Sequence, residues 1–171
     1  MSNRIQEEYE RLPEEVKWAL QRADGFIDLR MGARAHAALD EIPDAYRQGL
    51  SFRLHHLRLA MEEEEWKQAR ALATGLKEDL PDQPFLWIQL AYATRRSASL
   101  VEAEAILDQA LGAFPDDALI PYNLSCYACC QGHLDRAREH LRIAIARESV
   151  FREMALEDTD LEPLWDEVEK L

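Results

Sequence analysis

Apolar residues recur along this chain at steps of three and four over long segments poor in glycine, while alternating apolar and polar runs are scarce, so the pattern predicts helix throughout. One apolar face runs Trp66, Ala69, Ala73, Leu76, a second Leu100, Ala103, Leu107, Ala110, and a third Leu134, Ala137, Leu141, Ala144. Each set begins 34 residues after the one before it. Pro81 and Pro115 keep the same interval, each just past the end of a helical pattern, where proline cannot continue a helix. A further helix precedes each of these. In "FLWIQLAYATRR", Trp87, Leu90, Ala91 and Thr94 share a face, and Ser99 followed by Glu102 forms a capping box that opens the next helix. A helical hairpin repeated at a fixed period, with small residues where its helices meet, predicts a stacked solenoid.

In segment 84–117, Trp87, Leu90, Ala91, Ala103, Leu107, Ala110 and Pro115 all fall where the tetratricopeptide repeat family places such residues, and the chain resembles that family. Segment 118–151 keeps the register through Tyr122, Asn123, Leu124, Gly132, Leu134, Ala137, Leu141 and Ala144. It departs at Pro121, in place of a large apolar residue, and at Ser149, in place of the closing proline. Segment 50–83 retains its second helix and Pro81 but has His56 and Leu57 where the family prefers leucine and a small residue. In 16–49, Ala35, Leu39 and Ile42 match Ala69, Ala73 and Leu76, and Pro43 is expected to shorten that helix by about a turn. The resemblance implies an all-α fold, an α-α superhelix of helical hairpins, in one domain spanning 1–171. Its parts are a degenerate repeat at 16–49, repeats at 50–83, 84–117 and 118–151, and a capping segment at 152–171. Within that last segment Asp160 is the expected N-cap, Pro163 sits in the first turn, and Leu161, Leu164, Trp165 and Val168 make an apolar stripe. The stripe either covers the last repeat or offers a homodimer contact around Trp165.

Composition narrows the partners. The 171 residues are 47% hydrophobic and 31% charged, ordinary for a globular domain long enough to bury a core without metals or disulfides. With 20 Lys+Arg against 33 Asp+Glu, the net charge of −13 opposes nucleic-acid phosphates and anionic lipid surfaces, which leaves protein partners. The N-terminal stretch lacks a secretory-type apolar run, and "FLWIQLAYA" is too short to span a bilayer. A cytoplasmic protein without membrane insertion is expected, its three cysteines reduced.

All three cysteines lie in "SCYACCQGH", where Cys126, Cys129, Cys130 and His133 carry the ligand types of zinc. Adjacent positions on a helix diverge by about 100°, so four ligands cannot converge from this one, and no metal or other cofactor is expected. A thiol or zinc protein using Cys126 to His133 remains the alternative from a different class. The cysteines fit better as small apolar groups on a helix face. Glu62 to Glu65 lack the glycine turn of a calcium loop and read as a solvated helix entry. His55 and His56 have no nucleophile or phosphate-cradling loop nearby, and no enzyme is expected.

In the resembled family the second stripe of each first helix lines a concave groove. Carried onto this sequence, the stripe gives Leu54, His55 and Arg58; then Ile88, Gln89, Tyr92, Arg95 and Arg96; then Tyr122, Asn123, Cys126 and Cys129, with Ser51, Met61, Phe85 and Leu119 beside them. Arg58, Arg95 and Arg96 suit the carboxylates of an acidic or C-terminal peptide, or else cap and pair within the fold. The function this implies is a non-enzymatic scaffold or adaptor binding a peptide segment. A close variant is a translocator chaperone of the type III secretion kind, which size and acidity also fit.

Overall fold

In the computed structural model, which describes residues 3–171, the chain is all-α and forms two compact units, 1–97 and 98–171. The first unit holds α1 (Asn3–Arg11), α2 (Glu14–Asp28), α3 (Gly32–Asp40), a 3₁₀ turn at Asp44–Tyr46, α4 (Leu50–Glu62), α5 (Trp66–Asp79) and α6 (Pro84–Ser97). The second holds α7 (Leu100–Ala113), α8 (Leu119–Cys130), α9 (Leu134–Arg147), α10 (Val150–Glu157), a 3₁₀ helix at Thr159–Leu164 and α11 (Trp165–Val168). Among the described residues there is no strand.

Helices neighbouring in sequence pack on one another: α2 on α3, α4 on α5 and α5 on α6 in the first unit, α8 on α9 in the second. The small residues of the 34-residue pattern lie where helices approach closely, since Ala69, Ala73, Ala103, Ala110, Ala137 and Ala144 are fully buried. A methyl side chain lets two backbones approach closely, and Leu76, Leu107 and Leu141 fill the space left between them. Segment 16–49, whose pattern is degenerate, also folds as a helical pair, with Leu20, Ala23, Ile27, Ala35, Leu39 and Ile42 in one buried cluster.

The period reappears in the hairpin turns. Arg30, Glu64 and Gly132 all have positive φ (55°, 60° and 76°) and stand at multiples of the same interval. At each, the helix ends in a Schellman turn. The amides of Met31, Glu65 and His133 donate to the carbonyls of Phe26, Ala60 and Ala128, while Arg30, Glu64 and Gly132 donate to Ile27, Met61 and Cys129. The residue after each left-handed one caps the helix that follows. At Ser99 the side chain does that work instead: Oγ accepts from Glu102 N at 3.1 Å and donates to the Glu102 carboxylate at 3.2 Å.

The helix stops follow the prolines. α5 ends two residues before Pro81, α7 two before Pro115, and α3 three before Pro43. Pro121 leaves the start of α8 intact, because it lies in the first turn where its missing N–H is not needed, and Asp117 accepts from Ile120 N at 2.9 Å. The C-terminal cap differs from expectation. Asp158, not Asp160, is the capping residue: its carboxylate accepts from Asp160 N at 2.9 Å. The helix it opens is 3₁₀, with Pro163 inside it. Three residues per turn set Leu161 and Leu164 on the same face, and both are fully buried. Val168 is buried too, and the half-buried Trp165 donates its indole N–H to the Ala155 carbonyl at 2.8 Å.

Candidate functional site

Within the first unit the inner face of α4 opens onto a cavity of about 1000 Å³. Ser51, Leu54, His55, Arg58 and Met61, which share one face of that helix, supply one wall. Phe85 and Gln89 come from α6, Gln21, Asp24, Ile27 and Asp28 from α2, and Ile5, Gln6 and Tyr9 from α1. The contribution of α2 follows from the period, since Gln21, Asp24 and Ile27 stand one interval before His55, Arg58 and Met61. That of α1 has no such signal.

An ionic cluster forms part of the lining. Arg58 donates to Asp24 at 2.6 Å and to Asp28, while His55 Nε2 hydrogen-bonds the other Asp24 oxygen at 3.2 Å. Burial pushes the Asp24 carboxyl up, but the hydrogen bonds and charges of His55 and Arg58 outweigh it and hold the group below its ordinary value. Arg58 is therefore neutralised by the chain's own carboxylates and is not a free clamp for a ligand's. Arg30 is likewise paired, to Glu62 at 3.1 Å. Around these pairs Ile27, Leu54, Met61 and Phe85, the last 40% exposed, give the lining an apolar share, with Gln21 and Gln89 among them. Ser51 is 3% exposed, and among the described residues its hydroxyl has no hydrogen-bond partner.

α1 is seated beside this cavity through a carboxylate. Glu8 accepts from both Leu50 N and Ser51 N at 2.8 Å, occupying amides that the start of α4 leaves open. Gly49 makes room for it, since a Cβ there would stand 3.0 Å from the Glu8 carboxylate.

The remaining expected residues of this unit lie on α6 outside the cavity lining. Tyr92, 38% exposed, meets Trp66 edge-on with centroids 5.6 Å apart. Arg96 lies over the same indole at 5.0 Å and 3.9 Å from Glu64. Ile88 and Arg95 are half-buried.

In the second unit the corresponding positions are covered. Tyr122, Cys126 and Cys129 are 5%, 4% and 5% exposed. The Tyr122 hydroxyl donates to Asp158 at 2.9 Å, the Cys126 thiol reaches the same oxygen at 3.4 Å, and the Tyr122 ring lies 4.8 Å from that of Phe151. Arg138 holds Glu167 through two hydrogen bonds of 2.6 and 3.0 Å. Asn123 is turned back on its own helix, donating to the Leu119 carbonyl at 2.8 Å. Tyr122, Cys126 and Cys129, expected to line an open groove, are instead beneath the C-terminal segment, because its Asp158 finds hydrogen-bond donors there and its leucines find apolar cover. Burial, together with Asp160 and Asp158, raises the Cys129 thiol pKa, the reverse of an activated nucleophile. Burial raises the Tyr122 hydroxyl as well, with Cys126 and Asp158 adding to it. Cys130 is exposed, and His133 serves the turn through its backbone. Among the described residues no three His, Cys, Asp or Glu side chains group as a metal site.

Helical hairpins joined by period-locked Schellman turns define an all-α fold of the tetratricopeptide-like kind. No family model matches the chain, and no curated protein matches it. Solved structures do. The fold is similar to that of MamA, with a TM-score of 0.66 and 16% identity over 86% of this chain and 88% of that one. It is also similar to MamA AMB-1 (0.62, 14%, 91% of each chain) and MamA MSR-1 (0.61, 14%, 91% and 95%). At such identities the likeness extends to the fold.

Proposed function

We propose that this chain is a tetratricopeptide repeat protein acting as a non-enzymatic interaction scaffold, and that it takes a peptide segment into the cavity of its first unit. Repeats at 50–83, 84–117 and 118–151 follow a degenerate one at 16–49 and precede a capping segment at 152–171, all in a cytoplasmic protein. The observation that carries the reading is the cavity: about 1000 Å³ beside a helix presenting Leu54, His55 and Met61, with Phe85 and Gln89 opposite. Because Asp24 and Asp28 already neutralise Arg58, the segment is held chiefly by apolar side chains, with Gln21 and Gln89 as hydrogen-bonding guides.

Panning a random peptide library against the purified protein tests this. Selected peptides should bind the native chain, and Leu54→Arg, which puts a charged side chain on the cavity wall in place of an apolar one, should weaken them about tenfold, ~1.4 kcal/mol. Circular dichroism reports whether the variant remains folded. Failure to select any peptide, or equal binding by a folded Leu54→Arg variant, sinks the reading.

A further inference from the structure

Charge is distributed unequally along the chain. Residues 1–97 carry 14 Lys+Arg against 17 Asp+Glu, whereas residues 98–171 carry 6 against 16. The excess is greatest past α9, where residues 148–171 hold 2 basic and 9 acidic side chains. α10 lies in this stretch. Its inner face packs through Phe151 and Ala155, which are 5% and 0% exposed. Its outer face shows Val150, Met154 and Leu156, at 49%, 42% and 40% exposure, interleaved with the exposed Glu153 and Glu157. At 100° per residue these five side chains fall within an arc of roughly 160°. Among the described residues, neither Glu153 nor Glu157 pairs with a base within the unit.

We infer that the outer face of α10 is a docking surface for a cationic amphipathic segment of another protein, one that presents apolar side chains flanked by lysine or arginine. Burying Val150, Met154 and Leu156 supplies the attraction, and Met154 adapts to different apolar shapes. The unpaired glutamates select the sign of the flanks and accelerate encounter. A second copy of this chain is the wrong occupant, because a symmetric contact would bring like-charged rows together. Three apolar side chains make a small contact, so binding is weak and falls as salt rises.

The test uses the full chain with a synthetic lysine–leucine peptide patterned as an amphipathic helix, a scrambled peptide of the same composition, and fluorescence anisotropy at two salt concentrations. Two double variants are compared: Val150→Ser with Met154→Ser, which leaves charge unchanged, and Glu153→Lys with Glu157→Lys. The native chain should prefer the patterned peptide, and each double variant should lose about tenfold in affinity. Binding of patterned and scrambled peptides alike overturns the inference, as does unchanged binding by the serine variant, since net charge alone would then explain the affinity. Loss of binding on Leu54→Arg rather than on the α10 variants moves the site to the first unit and also overturns it. Sedimentation of the native chain as a dimer that the serine variant dissolves would make the occupant a second copy and overturn it too.

Discussion

One set of helix positions meets two fates in this molecule. On α4, Leu54, His55 and Arg58 face a cavity, and on α8 the positions two intervals later, Tyr122, Asn123 and Cys126, are turned to the helix's own needs or covered by the C-terminal segment. The difference lies in what the chain lays against them: beside α4 it places a short helix anchored to the start of α4 by Glu8, and over α8 a 3₁₀ segment that inserts Asp158 and two leucines. A repeat thus fixes where side chains point, whereas non-repeating flanks decide which of them meet solvent.

The largest effect that can break this contrast comes from the cover. Leu161→Ala should cost about 3 kcal/mol, because the side chain is fully buried and leaves a cavity. The variant should also expose Cys126 and Cys129, so that thiol labelling, limited to Cys130 at first in the native chain, proceeds quickly to three groups. An unchanged melting temperature with unchanged labelling would mean that the segment does not seal α8. Tyr122→Phe removes the hydroxyl that Asp158 accepts from, and it should cost about 1 kcal/mol by chemical denaturation with the thiols still largely protected. A cost near zero would leave the leucines alone holding the cover.

Much of this was legible beforehand. The alanine and leucine faces, the Pro81 and Pro115 stops and the Ser99 box depend on residues within one turn of each other, so their spacing records them. The left-handed turns at Arg30 and Glu64 were not legible, since neither residue type announces that conformation as Gly132 does. Asp158 was missed as a cap because the helix it opens is 3₁₀. The cavity wall from α1 was missed for a different reason: Glu8 meets its partners across 42 and 43 residues, and no periodicity encodes a contact that occurs once.

The turn comparison supplies a smaller effect. Glu64→Gly should stabilise the chain by about 0.5–1 kcal/mol, since a Cβ in the left-handed region costs more than glycine's added freedom in the unfolded state. The same change at Ala98, one interval on but without positive φ, should not stabilise it, and equal gains at both would detach the turn from the period.

The smallest effect concerns pH. Burial lowers the His56 pKa, with His36 adding repulsion, and burial lowers that of His140. Each group is favoured neutral in the folded chain, so its contribution is present above about pH 6.5, the unfolded value, and is lost as pH falls through the folded one. Melting temperature should therefore decline on acidification below that point, and His56→Gln should flatten the decline. A slope identical in native and variant chains would remove His56 as a cause.

The bond from Glu8 to the amides of Leu50 and Ser51 also sets an order of events during synthesis. α1 leaves the ribosome before its seat exists, since some forty residues more must emerge and coil. α1 must wait, unattached, for the element it will close, so it settles only after the later-made α4 has formed.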